Sequence, residues 1–111
     1  MKRNNLETIL IKIFKKFGLK KDHAKICSDA LINAELVGAY GHGLSRLKMY
    51  CDRIKKKVIN PKPKIKFKDI SQSISYINAD NSIGFVAADL AIKKSIKNAL
   101  KTGIGLVGVK N

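Results

Sequence analysis

The sequence has few cysteines, few aromatic residues and no long apolar run, and each shortage excludes a class of protein. Its two cysteines, Cys27 and Cys51, form neither a CxxC pair nor a Cys/His spacing typical of a metal site, and both are expected to be reduced thiols. The longest apolar stretches are far shorter than the roughly 18 residues of a membrane span. Glu7, Lys12 and Lys15 interrupt the N-terminal apolar segment, which excludes a signal peptide. We therefore expect a soluble cytoplasmic protein with no metal site and no membrane partner.

Acidic residues are also scarce: 8 Asp and Glu accompany 23 Lys and Arg, and the formal net charge is +15. Such a surface attracts nucleic acid nonspecifically, so a small lysine-rich nucleic-acid-binding module is one interpretation. Aromatic residues make up only 6%, which leaves little for base stacking. The lysines are scattered, and Lys, Ile and Asn share A/T-rich codons, so the bias is attributed to genome composition rather than to selection for a polyanionic partner. We predict no specific nucleic-acid partner.

The 111 residues fit one modest domain, and the first half shows helical periodicity. A first helix is predicted to begin at a cap on Asn4 or Asn5 and to end at Gly18. Its apolar face consists of Leu6, Ile9, Leu10, Ile13, Phe14 and Phe17. A second helix is predicted to begin at the N-cap Asp22 and to end near Gly38. Its inner face consists of Ala24, Cys27, Ala30, Leu31, Ala34 and Val37.

A third helix follows a glycine-rich loop, residues 38–43, whose three glycines imply unusual backbone angles or a close approach. This helix is predicted over about residues 44–57, with inward side chains at Leu47, Tyr50, Cys51 and Ile54. The two prolines of residues 60–63 then exclude a helix. We place a boundary there, between a helical N-terminal part, residues 1–59, and the beginning of an α/β part, residues 60–111.

The second part alternates strand patterns with one long helix. Residues 65–67 predict a short strand at a sheet edge, because apolar residues alternate with lysines. Residues 73–78 predict another strand, residues 79–82 a turn, and residues 83–101 a helix. The inner face of that helix is assigned to Ala88, Ala91, Ile92, Ser95, Ile96, Ala99 and Leu100. Residues 104–109 predict a buried strand. The predicted fold class is α/β: three helices, then the start of a mixed sheet with a long helix.

Residues 103–108, Gly-Ile-Gly-Leu-Val-Gly, match the dinucleotide fingerprint GxGxxG by letter. That fingerprint needs a strand before it and a helix after it, so that the pyrophosphate meets a helix N-terminus. Here a helix is predicted before the motif, and its intervening residues are apolar ones that favour burial. We predict a helix cap followed by a strand, and no cofactor site in this motif.

Three polar side chains around the start of the third helix form the candidate site. His42 lies in the glycine-rich loop, and the four-residue spacing of Arg46 and Tyr50 places both on one helix face. Arg46 can hold a carboxylate by two parallel hydrogen bonds, and Tyr50 adds a neutral donor. His42 can donate to a carbonyl or alkoxide oxygen, or transfer a proton near neutral pH. Together they suit a small 2-oxo or 2-hydroxy acid, although a solvated histidine, a surface arginine and a core tyrosine would also explain them.

Residues 35–50, ELVGAYGHGLSRLKMY, resemble a segment of the malate/L-lactate dehydrogenase family. In that family an acidic, glycine-containing helix end leads into Ser-His-Gly, then Arg-Leu and an aromatic residue. Residues 54–61 are similar to the family's Ile-x-x-Gly-x-Ile-x-Pro turn, with Lys57 where glycine is usual. Residues 76–92 resemble its strand, turn and long helix, and residues 103–111 resemble its next strand.

The resemblance implies the N-terminal fragment of a homodimeric, NAD- or NADP-dependent oxidoreductase on a fold other than the Rossmann fold. Such an enzyme interconverts 2-hydroxy and 2-oxo acids, or related imino or ureido acids. The resemblance implies His42 as a catalytic residue that hydrogen-bonds the reacting oxygen, and Arg46 and Tyr50 as substrate-binding residues, with Arg46 on the carboxylate. The cofactor-binding residues stay unknown. Gly41 stands where the family has serine, so one hydroxyl contact is lost.

Three hypotheses follow from the sequence. The first is an oxidoreductase fragment, inactive alone because the family's Ser-x-His-Phe-Gly motif would begin where the chain stops. It would act in a full-length homo-oligomer or with a C-terminal partner fragment, since the strand at residues 104–109 would otherwise expose an edge and apolar surface. The second is the nucleic-acid-binding module, and the third is a structural or dimer-forming piece without chemistry.

Overall fold

The computed structural model describes residues 1–111 and divides into two compact units, residues 1–62 and residues 63–111. The division falls three residues after the predicted boundary at residue 59. The difference has a packing reason, because Ile59 is buried and the Pro61 ring lies beside Gly18, where a Cβ would be 3.4 Å from it. No helix in the chain has both the length and the apolar composition that crossing a membrane requires.

The first unit is helical, and its three predicted helices are present. The elements are α1 (Arg3–Lys16), α2 (Lys21–Leu36), two 3₁₀ turns (Tyr40–His42 and Leu44–Arg46) and α3 (Leu47–Lys55). α1 packs on α2, and the buried side chains include Leu10, Phe14, Ala24, Cys27 and Leu31. The helical periodicity therefore located the core of this unit, because these residues recur at three- and four-residue steps.

The predicted N-caps are wrong by two or three residues, because the caps of α1 and α2 are Lys2 and Lys20. Asn4 and Asn5 lie inside α1, and neither α1 nor α2 has a side-chain cap hydrogen bond. Asp22 lies within the first turn of α2, where its charge suits the helix dipole and pairs with Lys20 at 3.2 Å. The predicted ends hold, because Gly18 and Gly38 adopt φ of +100° and +76°, which glycine reaches without strain.

Two further details of the helical prediction are wrong. Val37 is exposed, because α2 ends at Leu36 and Val37 no longer follows the helical periodicity. The third helix begins at Leu47 rather than at residue 44 and ends at Lys55, because the segment before it forms 3₁₀ turns and Lys57 adopts φ of 58°.

The second unit is a three-stranded mixed sheet with one helix. Its elements are β1 (Lys66–Asp69), β2 (Ile74–Asn78), α4 (Gly84–Thr102) and β3 (Leu106–Lys110). The strand order is β1-β2-β3, with β1 antiparallel and β3 parallel to β2. Ile77, Ala79 and Ala87 form a buried cluster, against which Ile65, Leu90, Ala91 and Val107 pack. The α/β class, the mixed sheet and the edge position of β1 are confirmed.

The assigned inner face of α4 is wrong in part: Ala91 does pack against the sheet, but Ile92, Ile96 and Leu100 do not. Ala87, Leu90, Ala91 and Asn98 face the sheet, whereas Ile92, Ile96 and Leu100 are 61%, 55% and 83% exposed. The helix carries two apolar faces, and periodicity alone does not distinguish the one that meets the sheet. The predicted burial of β3 is also wrong, because β3 is an edge strand with Leu106 59% exposed.

The glycines of the GxGxxG match serve the turn from α4 into β3. Gly103 ends α4 with φ of +84°. A Cβ on Gly105 would collide with the backbone oxygen of Ser95, and the Ser95 hydroxyl donates to the Gly105 carbonyl at 2.7 Å. The order is helix, turn, strand, which confirms the prediction of a cap and a strand and removes the dinucleotide fingerprint.

A chain of polar contacts joins α4 to the sheet. Asn98 Nδ2 donates to Ser75 Oγ at 2.8 Å, and that hydroxyl donates to Asp69 Oδ1 at 2.6 Å. Lys94 Nζ lies 2.7 Å from the same carboxylate oxygen. Lys94 and Ser75 together lower the pKa of the Asp69 carboxyl. Asn98 and Ser75 are buried, so their hydrogen bond holds α4 against β2 without leaving a polar group unsatisfied.

His23 is a buried histidine that the sequence analysis did not single out. It is 6% exposed in the first turn of α2. Burial lowers the pKa of its imidazole from the ordinary 6.5, and Lys20 lowers it further against an opposing effect of Asp22. A positive charge is also unfavourable near a helix N-terminus. The folded unit therefore holds His23 neutral.

Replacing Asn98 with alanine should destabilise the second unit by about 1–3 kcal/mol, because Ser75 would keep a buried hydroxyl with one fewer partner. Lys97→Ala, at the exposed neighbouring position, is the control and should change stability by less than about 0.5 kcal/mol. Urea denaturation followed by circular dichroism measures both. Equal midpoints for the two variants would contradict the structural role of Asn98.

Acid should weaken the first unit through His23. Because the folded pKa is depressed, the stabilisation is fully present above about pH 6.5 and is lost as the pH falls toward and through the folded pKa. Urea midpoints measured between about pH 7 and pH 5 should therefore decline, and His23→Gln should flatten that decline because glutamine does not titrate. An unchanged decline in the variant would assign the effect to other groups.

Candidate functional site

The loop between α2 and α3 is a series of tight turns. The Ala39 amide donates to the Ala34 carbonyl at 2.8 Å, and the His42 amide donates to the Ala39 carbonyl at 2.8 Å. The Arg46 amide then donates to the Gly43 carbonyl at 3.0 Å. These short-range hydrogen bonds stabilise the backbone conformation around His42 and Arg46. Almost all of their donors and acceptors lie within the loop itself.

Glu35, near the end of α2, connects this loop to the helix. Its Oε1 accepts a hydrogen bond from the Leu44 amide at 2.7 Å. The buried Gly43 passes directly over the same carboxylate, so that a Cβ on Gly43 would collide with Oε1 and lie 2.7 Å from Cδ. Gly43 has a negative φ, so this close approach of the Glu35 side chain, and not backbone strain, explains a glycine here.

Glu35 belongs to the motif of residues 35–50, and the sequence alone indicates no role for it. The sequence does show a glutamate at a helix end and a glycine eight residues later. This spacing alone does not predict that the two residues are in contact. The sequence predicted either unusual backbone angles or a close approach at Gly43. The structure shows that the close approach is the reason for the glycine.

Arg46 is exposed and immediately precedes α3. Its Nε donates to the Gly41 carbonyl at 2.6 Å, and Nη1 lies 3.9 Å from Met49 Sδ. The remaining three Nη hydrogens make no hydrogen bond within the chain. The guanidinium is thus held through Nε, while its Nη end is open to a ligand.

His42 and Tyr50 complete the predicted set. His42 is exposed in the first 3₁₀ turn, and its ring makes no hydrogen bond within the chain. The Arg46–Gly41 bond brings the guanidinium beside the residue that precedes His42. Tyr50 lies half-buried in α3. Arg46 and Tyr50 do not share one α-helix as predicted, because the α-helical part begins only at Leu47.

The local charge favours an anion. Residues 40–56 contain five Lys and Arg side chains and one carboxylate, Asp52. That carboxylate is paired with Lys48 at i,i+4, which lowers the Asp52 pKa and raises the Lys48 pKa. No group of three or more His, Cys, Asp or Glu residues in the chain could hold a metal ion. The donors present are therefore suited to a small anionic ligand.

The chain combines a helical unit, which carries an exposed loop with His42 and Arg46, with a mixed α/β unit. This combination agrees with the dehydrogenase family that the sequence resembles. Residues 1–111 match the family model described as malate/L-lactate dehydrogenase over their whole length. The chain belongs to this family, and the resemblance noted in the sequence is confirmed.

Three relatives illustrate the match. The L-sulfolactate dehydrogenase of Methanocaldococcus jannaschii is 35% identical over 111 residues, which is 100% of this chain and 32% of the relative. The malate dehydrogenase of Pyrococcus abyssi is 38% identical over 109 residues, 98% of this chain and 30% of the relative. The ureidoglycolate dehydrogenase (NAD(+)) of Escherichia coli is 33% identical over 92 residues, 83% of this chain and 26% of the relative.

The fold agrees with the same family. The solved structure of the Methanocaldococcus jannaschii sulfolactate dehydrogenase superposes with a TM-score of 0.95 at 35% identity, covering 100% of this chain and 32% of that one. The chain spans about a third of the length of the curated relatives that it matches.

The two loop glycines provide a matched test of the Glu35 contact. Gly43→Ala should cost about 1–3 kcal/mol, because the new Cβ forces the carboxylate off the Leu44 amide. Gly41→Ala should be tolerated within about 0.5 kcal/mol, since nothing lies within 4 Å of a Cβ there. Thermal unfolding and the Leu44 amide resonance measure the two effects. A fully stable Gly43→Ala protein with an unshifted Leu44 resonance would disprove the close contact.

Proposed function

We propose that the chain forms part of an NAD- or NADP-dependent oxidoreductase that interconverts small 2-hydroxy and 2-oxo acids. The observation that carries this proposal is the arrangement of Arg46, whose guanidinium is anchored through Nε while its Nη end is open beside the loop of His42. Family membership supports the reaction type, because the relatives are named as dehydrogenases of malate, sulfolactate and ureidoglycolate.

Arg46 is proposed to hold the substrate carboxylate. The three named compounds share a carboxylate next to a hydroxyl-bearing carbon, which is the feature that one bidentate arginine can recognise. The Nε bond to Gly41 orients the guanidinium plane before the ligand arrives, so less conformational freedom is lost on binding. The surplus of cations around residues 40–56 would attract an anionic substrate to this surface.

His42 and Tyr50 are proposed to act on the oxygen side of the substrate. The ring of His42 has both nitrogens available, so it can donate a hydrogen bond to the reacting oxygen as negative charge develops there. An imidazole can also accept or supply a proton at that oxygen. Tyr50 adds a phenolic donor from α3, on the C-terminal side of Arg46.

A nicotinamide cofactor supplies or accepts the hydride when it is bound, and the relative from Escherichia coli carries NAD(+) in its name. The motif in this chain that resembles a dinucleotide fingerprint, residues 103–108, follows α4, and its residues 106–108 lie in β3. Those residues do not fit a pyrophosphate, because the fingerprint runs from a strand into a helix N-terminus and this segment runs from a helix into a strand. We assign no cofactor contact to residues 1–111.

The surroundings of the reaction are proposed from the same family membership. We propose a cytoplasmic location, with which the two free cysteines agree. Burial raises the pKa of the Cys27 thiol to about 12 and also raises the pKa of the Cys51 thiol. Such thiols are poor nucleophiles and behave as small apolar core residues. The complete enzyme is proposed to be a homo-oligomer, and the 111-residue chain is proposed to be inactive by itself.

The test is a chimera in which residues 1–111 replace the matched region of the Methanocaldococcus jannaschii L-sulfolactate dehydrogenase. The chimera should reduce a 2-oxo acid with NADH or NADPH, followed by nicotinamide absorbance. Arg46→Ala should lower kcat/KM by roughly 100-fold, because charge-assisted hydrogen bonds to the carboxylate are lost. Arg53→Ala, which removes the same charge from an exposed position of α3, is the control.

The control should stay within about twofold of the parent chimera, since it lacks a proposed ligand contact. If both arginine variants lose the same fraction of kcat/KM, Arg46 contributes only general surface charge and does not bind the carboxylate. A folded chimera that is inactive with every 2-oxo acid offered, including oxaloacetate and sulfopyruvate, would contradict the proposed function itself.

A further inference from the structure

Three side-chain hydrogen bonds hold the backbone of the loop between α2 and α3. Ser45 Oγ and Arg46 Nε donate to carbonyls of the preceding 3₁₀ turn at 2.8 Å and 2.6 Å. Both of these bonds are exposed, so water competes for their donors and acceptors. The third bond comes from α2, where Glu35 Oε1 accepts the Leu44 amide at 2.7 Å in a partly buried position. Glu35 therefore ties the loop to the helix that precedes it.

The Leu44 amide has no acceptor within its own turn. It begins the 3₁₀ turn Leu44–Arg46, so no residue of that turn can accept its hydrogen. The Glu35 carboxylate accepts it instead, as a capping side chain does at a helix start. A hydrogen bond to a carboxylate is roughly twice as strong as one to a neutral oxygen. The partly buried setting strengthens it further by limiting the access of water.

Arg46 depends on this contact at two points. Its own amide donates to the Gly43 carbonyl at 3.0 Å, and Gly43 lies directly against the Glu35 carboxylate. The Gly41 carbonyl that accepts Arg46 Nε lies two residues before Gly43. The contact with Glu35 thus lies, along the chain, between the donor and the acceptor of the bond that orients the guanidinium. Without the carboxylate, the side-chain bonds that remain in the loop are both exposed.

We propose that Glu35 is a positioning residue for the substrate carboxylate. It does not touch the substrate, and it holds the loop of residues 41–46 so that the Arg46 guanidinium presents its Nη edge in one orientation. The loop requires an acceptor oxygen for the Leu44 amide and does not require the negative charge, which opposes the attraction of an anion to this surface. The inference rests on the proposed function, because it takes Arg46 as the group that binds the carboxylate.

The first measurement uses the 111-residue chain and needs no activity. NMR spectra should contain three arginine Nε–Hε signals, and the exposed Arg3 and Arg53 serve as references. The Arg46 Hε should exchange with water at least about fivefold more slowly than these two, because it is bound to the Gly41 carbonyl. Glu35→Ala should bring Arg46 to the rate of the references. Glu35→Gln keeps an acceptor oxygen and should preserve the slow exchange.

The second measurement uses the chimera and separates positioning from stability. Glu35→Ala should raise KM for the 2-oxo acid by about tenfold while kcat stays within about threefold, because Arg46 holds the carboxylate in the ground state and the transition state alike. A loss of folded protein would instead lower kcat at an unchanged KM. Glu35→Gln should return KM to within about threefold of the parent chimera, since its side-chain oxygen can accept the Leu44 amide.

Asp29→Ala is the matched control. Asp29 is also a carboxylate of α2, but it pairs with Lys25 at 3.0 Å rather than with the loop. The variant removes the same charge from the same helix. It should leave both KM and the exchange rate of the Arg46 Hε within about twofold of the parent values.

Three results would overturn the inference. The first is an Arg46 Hε that stays protected in Glu35→Ala. The second is a Glu35→Ala chimera with an unchanged KM and a lower kcat, which would leave Glu35 a purely structural role. The third is a Glu35→Gln chimera with a KM as high as that of Glu35→Ala, which would assign the effect to the charge. If the parent chimera has no activity, the proposed function fails by itself, and the exchange rates decide whether Glu35 holds Arg46.

Discussion

One carboxylate organises the loop on which the candidate site stands. Glu35, in the last turn of α2, accepts the Leu44 amide and occupies the space that any side chain at position 43 would need. The chain must therefore turn closely over the end of α2 before α3 begins. That turn brings the Gly41 carbonyl within 2.6 Å of Arg46 Nε. The orientation of the guanidinium depends on the loop, and the loop depends on Glu35.

The candidate site is built from near neighbours in sequence. The side-chain hydrogen bonds of Glu35 and Arg46 that shape it join residues within nine positions of each other. Short-range contacts need little loop closure, so this part of the first unit forms without a distant partner. The second unit differs, because its sheet has three strands and its last strand has one free edge.

The second unit exposes apolar side chains along α4 and β3. Its helix is apolar on two sides, and the sheet covers only one of them. Asn98 and Ser75 are buried and hydrogen-bonded to each other between α4 and β2, and the Ser82 hydroxyl is a buried group without a partner. The side chains that face the core of this unit are therefore packed, whereas the outer face of α4 and one edge of β3 are exposed. This division of one helix into a satisfied face and an exposed face is typical of a layer that lies between two others.

The sequence by itself determined the elements, their order, the α/β class and the family, because periodicity, glycine and proline act locally and the motif of residues 35–50 is contiguous. It also excluded the GxGxxG match, since that exclusion required only the order of helix and strand. Tertiary structure alone decided that Gly43 yields to Glu35, that His23 and Asn98 are buried, and that Ile92 and Leu106 are exposed. The burial or exposure of each of these side chains depends on which element packs against it. A sequence pattern does not specify that element when a helix has two apolar faces or when one edge of a strand is unpaired.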